Sequence, residues 1–213
     1  MPFVHITTRL EDRKHEELLF DKGGNSFPSI MFLDAEGEVI AIHKRATTMK
    51  GFEVTAALIW RYLDLKKKVG GGDASAKTDL LITEGDLGRM DFYELEEELD
   101  GVKLTADQQE ALKRIKADSA ATEQDAMLRN AKFSDDSLRD AGEEFLELYK
   151  EGARPSIERA QMIYWWTLGL YAGETKNAAV LEEAIKQAKT LLPHDKFMKR
   201  KVIEFEVTLA KLK

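Results

Sequence analysis

The stretch from Gly23 to Lys44, GGNSFPSIMFLDAEGEVIAIHK, most constrains what this chain can fold into. Ser29 to Leu33 (SIMFL) and Val39 to Ile42 (VIAI) are short apolar runs without polar alternation. Such runs suit strands buried on both faces beneath helices. Between them Asp34-Ala35-Glu36-Gly37 places an acceptor at the first turn position and a glycine where φ turns positive. A type I turn closed by a glycine bulge is therefore expected, joining the two runs as an antiparallel hairpin. Pro28 stands at the start of the first strand, where a missing N–H does least harm. Gly23-Gly24-Asn25 frees the backbone to turn out of a preceding helix, expected over about residues 12–21.

A strand at Phe3 to Thr7, that short helix, the G-G-x-x-F-P corner, an apolar strand, D-x-x-G and a second apolar strand resemble the thioredoxin-like family. The resemblance covers roughly residues 3–68 and implies an α/β unit that is incomplete at its N-terminus. It also implies that Pro28 occupies the family's cis-proline position. Ser26, Phe27 and Pro28 would then form the loop whose backbone pairs with bound peptide. The departure matters more than the match. The family's Cys-x-x-Cys sits on a strand–helix unit ahead of what is here Phe3, and this chain contains no cysteine. Thiol–disulfide exchange needs a thiolate, so this polypeptide alone is not expected to perform it. In the family's sheet the first strand lies between those matching Phe3 to Thr7 and Ser29 to Leu33. Without it, unpaired edges are expected to recruit a second copy, giving a homodimer whose interface lies at least partly in residues 1–65.

A chain of 213 residues with 43% apolar content can fill one large or two small cores. Through Lys68 there are 11 basic and 10 acidic residues, and from Val69 onward 21 and 29. That acidic tail argues against a phosphate-binding surface, so no nucleic-acid partner is expected. No run approaches the roughly 20 apolar residues of a membrane span, and Met1-Pro2-Phe3 leads into a strand without a signal-peptide pattern. A cytoplasmic location without membrane partners is the resulting expectation. His5, His15 and His43 lack ligand spacing and an accompanying acid or nucleophile, and read as structural or surface residues.

A helix is expected over about Gly51 to Lys68, with Val54, Leu58, Ile59, Tyr62, Leu63 and Leu65 on one stripe. Lys66-Lys67-Lys68 complements the negative end of its dipole. Val69 to Ser75 (VGGGDAS) has linker composition, which places a boundary between a truncated thioredoxin-like domain, residues 1–68, and a helical domain, residues 76–213.

Beyond the boundary the periodicity is helical throughout. Helices are expected over Ala76 to Leu87, around Phe92, Leu95 and Leu99, and from a Thr105/Gln108 capping box to about Asn130. Leu112, Ile115, Met127 and Leu128 should face inward on the last of these. Another helix should run to Lys150, closed by Gly152 and Pro155. Ser156 should cap an apolar helix ending near Gly173, and two more helices should flank Leu192-Pro193-His194-Asp195. Trp165, Leu168, Gly169, Ala188 and Pro193 fall at the spacings of a tetratricopeptide repeat, so the tail resembles irregular pairs of that kind. In such folds, stacked helix pairs leave a surface for partners.

Met162, Ile163, Tyr164, Trp165 and Trp166 wrap right round a helix and cannot all face one core. Two readings stand. The helix is sandwiched between neighbours, or Tyr164, Trp165 and Trp166 anchor a peptide or a second subunit. No P-loop, EF-hand, G-x-S-x-G or metal-type His/Asp pairing occurs, so no catalytic residue, metal or cofactor is assigned. The expected function is non-catalytic: a thioredoxin-like scaffold whose helical tail binds a protein or peptide. The alternative is a shortened thioredoxin-like oxidoreductase whose cysteines lie upstream of Met1.

Overall fold

The computed structural model describes residues 21–22, 29–130 and 135–213. Contacts divide the chain into two compact units, residues 1–43 and 44–213.

In the first unit, β1 (Met31–Leu33) and β2 (Val39–Ile42) form an antiparallel hairpin. Its turn follows the local chemistry. The Asp34 carboxylate accepts from the N–H groups of Glu36 (3.1 Å) and Glu38 (2.7 Å), and Gly37 has φ 84°. The register slips between Phe32 and Leu33, which is the bulge that accommodates the turn. Burial is less complete than the apolar runs suggested. Ile40 and Ala41 are buried, whereas Leu33 is exposed. The expected strand at Phe3 to Thr7 and the helix over about residues 12–21 fall almost wholly outside the described residues.

The second unit is helical. Its described elements are α1 (Met49–Gly70), α2 (Lys77–Leu87), α3 (Phe92–Glu98), α4 (Ala106–Asn130), α5 (Asp135–Lys150), α6 (Glu158–Glu174), α7 (Ala178–Leu191) and α8 (Lys196–Leu212). The two-stranded hairpin is the only sheet among the described residues, so the described protein is mostly α.

The helix expected to close the N-terminal unit belongs instead to this body. Ile59, Tyr62 and Leu65 of α1 are buried, and α1 packs against α2 and the short 3-10 turn Ala74–Ala76 that precedes it. The glycine-rich stretch is a tight reversal rather than a domain boundary: Gly71 closes α1, Gly72 takes φ 92°, and Asp73 caps the 3-10 turn.

Two cores follow along the body. The smaller joins Leu81 and Ile82 of α2, Phe92 and Leu95 of α3, Leu99 at the end of α3, and Ile115 of α4. Gly85 makes this close packing feasible, since a Cβ there would lie 2.6 Å from Leu95 Cδ2. The capping box at Thr105 and Gln108 forms in both directions, at 3.3 and 3.0 Å. Met127, expected to face inward, is exposed; Ile115 and Leu128 are buried.

The larger core surrounds α6, which packs against α4, α5, α7 and α8. A helix with neighbours on all sides can be apolar all round, and this is why α6 tolerates five consecutive large residues. Gly169 lets α8 close on α6: a Cβ there would lie 2.4 Å from the Phe205 ring.

Candidate functional site

The first candidate loop, Ser26, Phe27 and Pro28, lies outside the described residues, and so does the peptide bond ahead of Pro28. The second candidate set is corrected by the structure. Tyr164, Trp165 and Trp166 are 0%, 2% and 8% exposed, so none presents a surface to a partner.

Each of the three is held by neighbours. The Tyr164 hydroxyl lies 3.3 Å from the carbonyl oxygen of Phe145 and 3.2 Å from that of Ala153, and donates to this pair. Burial pushes its phenol well above the ordinary value, so it remains a neutral donor. Trp165 meets Tyr164 and Tyr149 edge-on, at centroid distances of 5.0 and 6.3 Å. The Arg154 guanidinium stacks over Tyr149 at 4.1 Å and reaches Trp165 at 5.7 Å. Trp166 packs edge-on against Phe197 of α8 at 5.2 Å.

A cleft of about 220 Å³ opens beside the smaller core, bordered by Lys44, Asp86, Arg89, Asp91, Asp118 and Glu123. Three of its carboxylates are already engaged. Asp86 forms a two-point pair with Arg114 at 2.6 and 2.7 Å. Asp91 caps α3, accepting from the Glu94 N–H at 2.8 Å. Asp118 of α4 accepts from the backbone N–H groups of Ser156 (2.8 Å) and Ile157 (3.0 Å), and from the Ser156 hydroxyl (2.8 Å). Burial raises the Asp118 carboxyl above its ordinary value, against the pull of these bonds and of the Arg114 charge.

Ser156, expected to cap α6 through its side chain, does not do so. Its hydroxyl turns to Asp118, and α6 has no side-chain cap from its own first residues. Arg45 and Arg114 converge on the same serine at 3.4 Å, and the Ala46 N–H donates to Glu158 at 2.7 Å. The cleft is thus a structural joint that fastens the start of α6 to α4 and to the chain ahead of α1.

Two exposed faces were not singled out in the sequence. On α1, Trp60 is 72% exposed, away from the buried Ile59, Tyr62 and Leu65. On α8, Ile203 and Val207 are exposed at helical spacing, between the exposed cations Lys196, Lys199, Arg200 and Lys211. The signal for Trp60 was available: it stands outside the apolar stripe of its own helix. The α8 face carried a weaker one, because Ile203 and Val207 form only a two-residue stripe.

Among the described residues no group of three or more His, Asp or Glu side chains could hold a metal ion, and no helix is long and apolar enough to cross a membrane. No protein-family model, no curated protein and no solved structure is significantly similar to this chain.

Proposed function

We propose that this chain is a non-catalytic interaction protein: a thioredoxin-like N-terminal unit serving as scaffold, followed by tetratricopeptide-like helices that dock a partner. The D-x-x-G hairpin and the absence of cysteine from the sequence support the first half. The serial packing of α6, α7 and α8, with Gly169 admitting Phe205, supports the second. A cytoplasmic setting belongs to the same reading.

The observation that carries the docking role is the outer face of α8. Ile203, Val207 and Ala210 form its centre, ringed by Lys196, Lys199, Arg200 and Lys211. The two acidic residues at its margins are already paired, Glu204 with Lys201 (2.7 Å) and Glu206 with Lys189 (2.5 Å). None of the four ringing cations has an ion pair among the described residues. In a chain of net charge -7, this is a locally basic, apolar-centred strip. It suits an acidic amphipathic helix whose apolar stripe meets Ile203 and Val207. A row of nucleic-acid phosphates would leave that apolar centre unused.

A labelled helical peptide with leucine at heptad a and d positions and glutamate elsewhere is the probe, read by fluorescence anisotropy. Binding that weakens with added salt and is lost in Ile203→Asp, with helical content retained, is expected. Equal binding by the variant, no binding at all, or preference for anionic phospholipid vesicles over the peptide would overturn the proposal.

A further inference from the structure

The exposed face of α1 is self-complementary. At 100° per residue, Lys50, Glu53, Val54, Ala57, Trp60, Arg61 and Asp64 fall within an arc of about 120° centred on Ala57. All seven are exposed, Trp60 the most among their apolar members. Gly51, Thr55, Ile59, Tyr62 and Leu65, all outside this arc, are buried in the helical body.

We propose that this face pairs with the same face of a second copy, antiparallel, about a two-fold axis through Ala57. The order of residues either side of Ala57 is what identifies the occupant. The axis brings Lys50 opposite Asp64, Glu53 opposite Arg61, and Val54 opposite Trp60, each pair occurring twice. Each of these four charged residues meets its opposite, and the one large exposed aromatic meets an apolar residue. Lys68, on the same arc one turn beyond Asp64, has no counterpart within the helix and stays paired with Asp64. At the axis itself stands alanine, whose small side chain lets the helices approach closely. A parallel pairing would place each residue against itself, Lys50 on Lys50 and Asp64 on Asp64, and is disfavoured by like charge.

Existing ion pairs do not block the arrangement. Arg61 lies 3.7 Å from Asp79 and Asp64 2.7 Å from Lys68, and all four side chains remain well exposed to solvent. The arginine fork can serve a second carboxylate without losing the first. A face of this length buries less than the roughly 1,600 Å² of a standard stable interface, so a dimer that dissociates in the micromolar range is expected.

Sedimentation equilibrium of the full chain, from about 1 to 100 µM, tests the pairing. The wild type should rise from 24.1 kDa toward twice that mass with concentration. Glu53→Arg alone and Arg61→Glu alone each create two like-charge contacts and should raise the dissociation constant at least about tenfold. The double variant, which swaps the two charges, should dimerise as the wild type does. An equimolar mixture of the two single variants should also dimerise, because each supplies what the other lacks. Circular dichroism establishes that all chains are folded. A wild type that stays monomeric throughout, single variants that dimerise unchanged, or a mixture that fails to associate would each overturn the proposal.

Discussion

Asp118 Oδ1 accepts from the backbone N–H of Ser156 at 2.8 Å, a bond between residues 38 positions apart. With the Ile157 N–H on the same oxygen, α4 fastens the two residues that lead into α6, a helix without a side-chain cap of its own.

Removing that carboxylate should therefore cost more than neutralising it. Asp118→Ala leaves two part-buried backbone donors without their acceptor and is expected to destabilise by about 1–3 kcal/mol. Asp118→Asn keeps a carbonyl oxygen for both donors and is expected to cost less than about 1 kcal/mol. Chemical denaturation near neutral pH separates the two. Equal losses would mean that charge, and not the acceptor position, holds the joint.

The same residue sets a pH dependence. Burial raises its native value above that of the unfolded chain, about 3.9. The native state thus holds the proton more tightly. The corresponding stability is fully present below the unfolded value and is lost as pH rises through the native one. The Asp118→Asn chain lacks this titration. The wild type's stability relative to that variant should accordingly fall as pH rises across the window, measured by urea midpoints at a series of pH values. A relative stability that rises with pH would show that the hydrogen bonds outweigh burial.

The hairpin and most helix limits were legible because their determinants are local. Asp34 and Gly37 shape the turn within four residues, and Thr105 and Gln108 begin α4 by themselves. What was not legible is set by partners distant in sequence. Ser156 looks like a cap, but its hydroxyl donates instead to Asp118 of α4. VGGGDAS looks like a linker, yet the buried side of α1 turns it into a reversal between packed helices. The apolar run 162–166 looked ambiguous because only the four helices around α6 decide that every side of it is covered.

Truncation of that run should register as core loss. Trp165→Ala is expected to cost about 3–5 kcal/mol, as large-to-small changes in packed cores do. A stability unchanged from wild type would contradict the burial described here. The measurement is the denaturant midpoint at constant m-value.

Gly169 gives a subtler probe of how α6 meets α8. Gly169→Ala forces a methyl against the Phe205 ring and should cost about 1–3 kcal/mol. Adding Phe205→Leu should recover part of that loss, so the two changes are not additive. Strict additivity would mean that the two positions do not touch.

Thr167 is fully buried, and its hydroxyl has no hydrogen-bond partner among the described residues. Thr167→Val removes a buried polar group at nearly constant volume and should be neutral or stabilising by up to about 1 kcal/mol. Thermal unfolding with the melting temperature lowered would contradict this.

Tryptophan accessibility tests the assignment of core and surface most directly. Trp60 is 72% exposed, whereas Trp165 and Trp166 are 2% and 8% exposed. Acrylamide quenching of tryptophan fluorescence in dilute protein should therefore report one accessible fraction. That fraction should disappear in Trp60→Phe, leaving emission that acrylamide barely quenches. Strong quenching that persists in Trp60→Phe would place Trp165 or Trp166 at the surface and contradict the account.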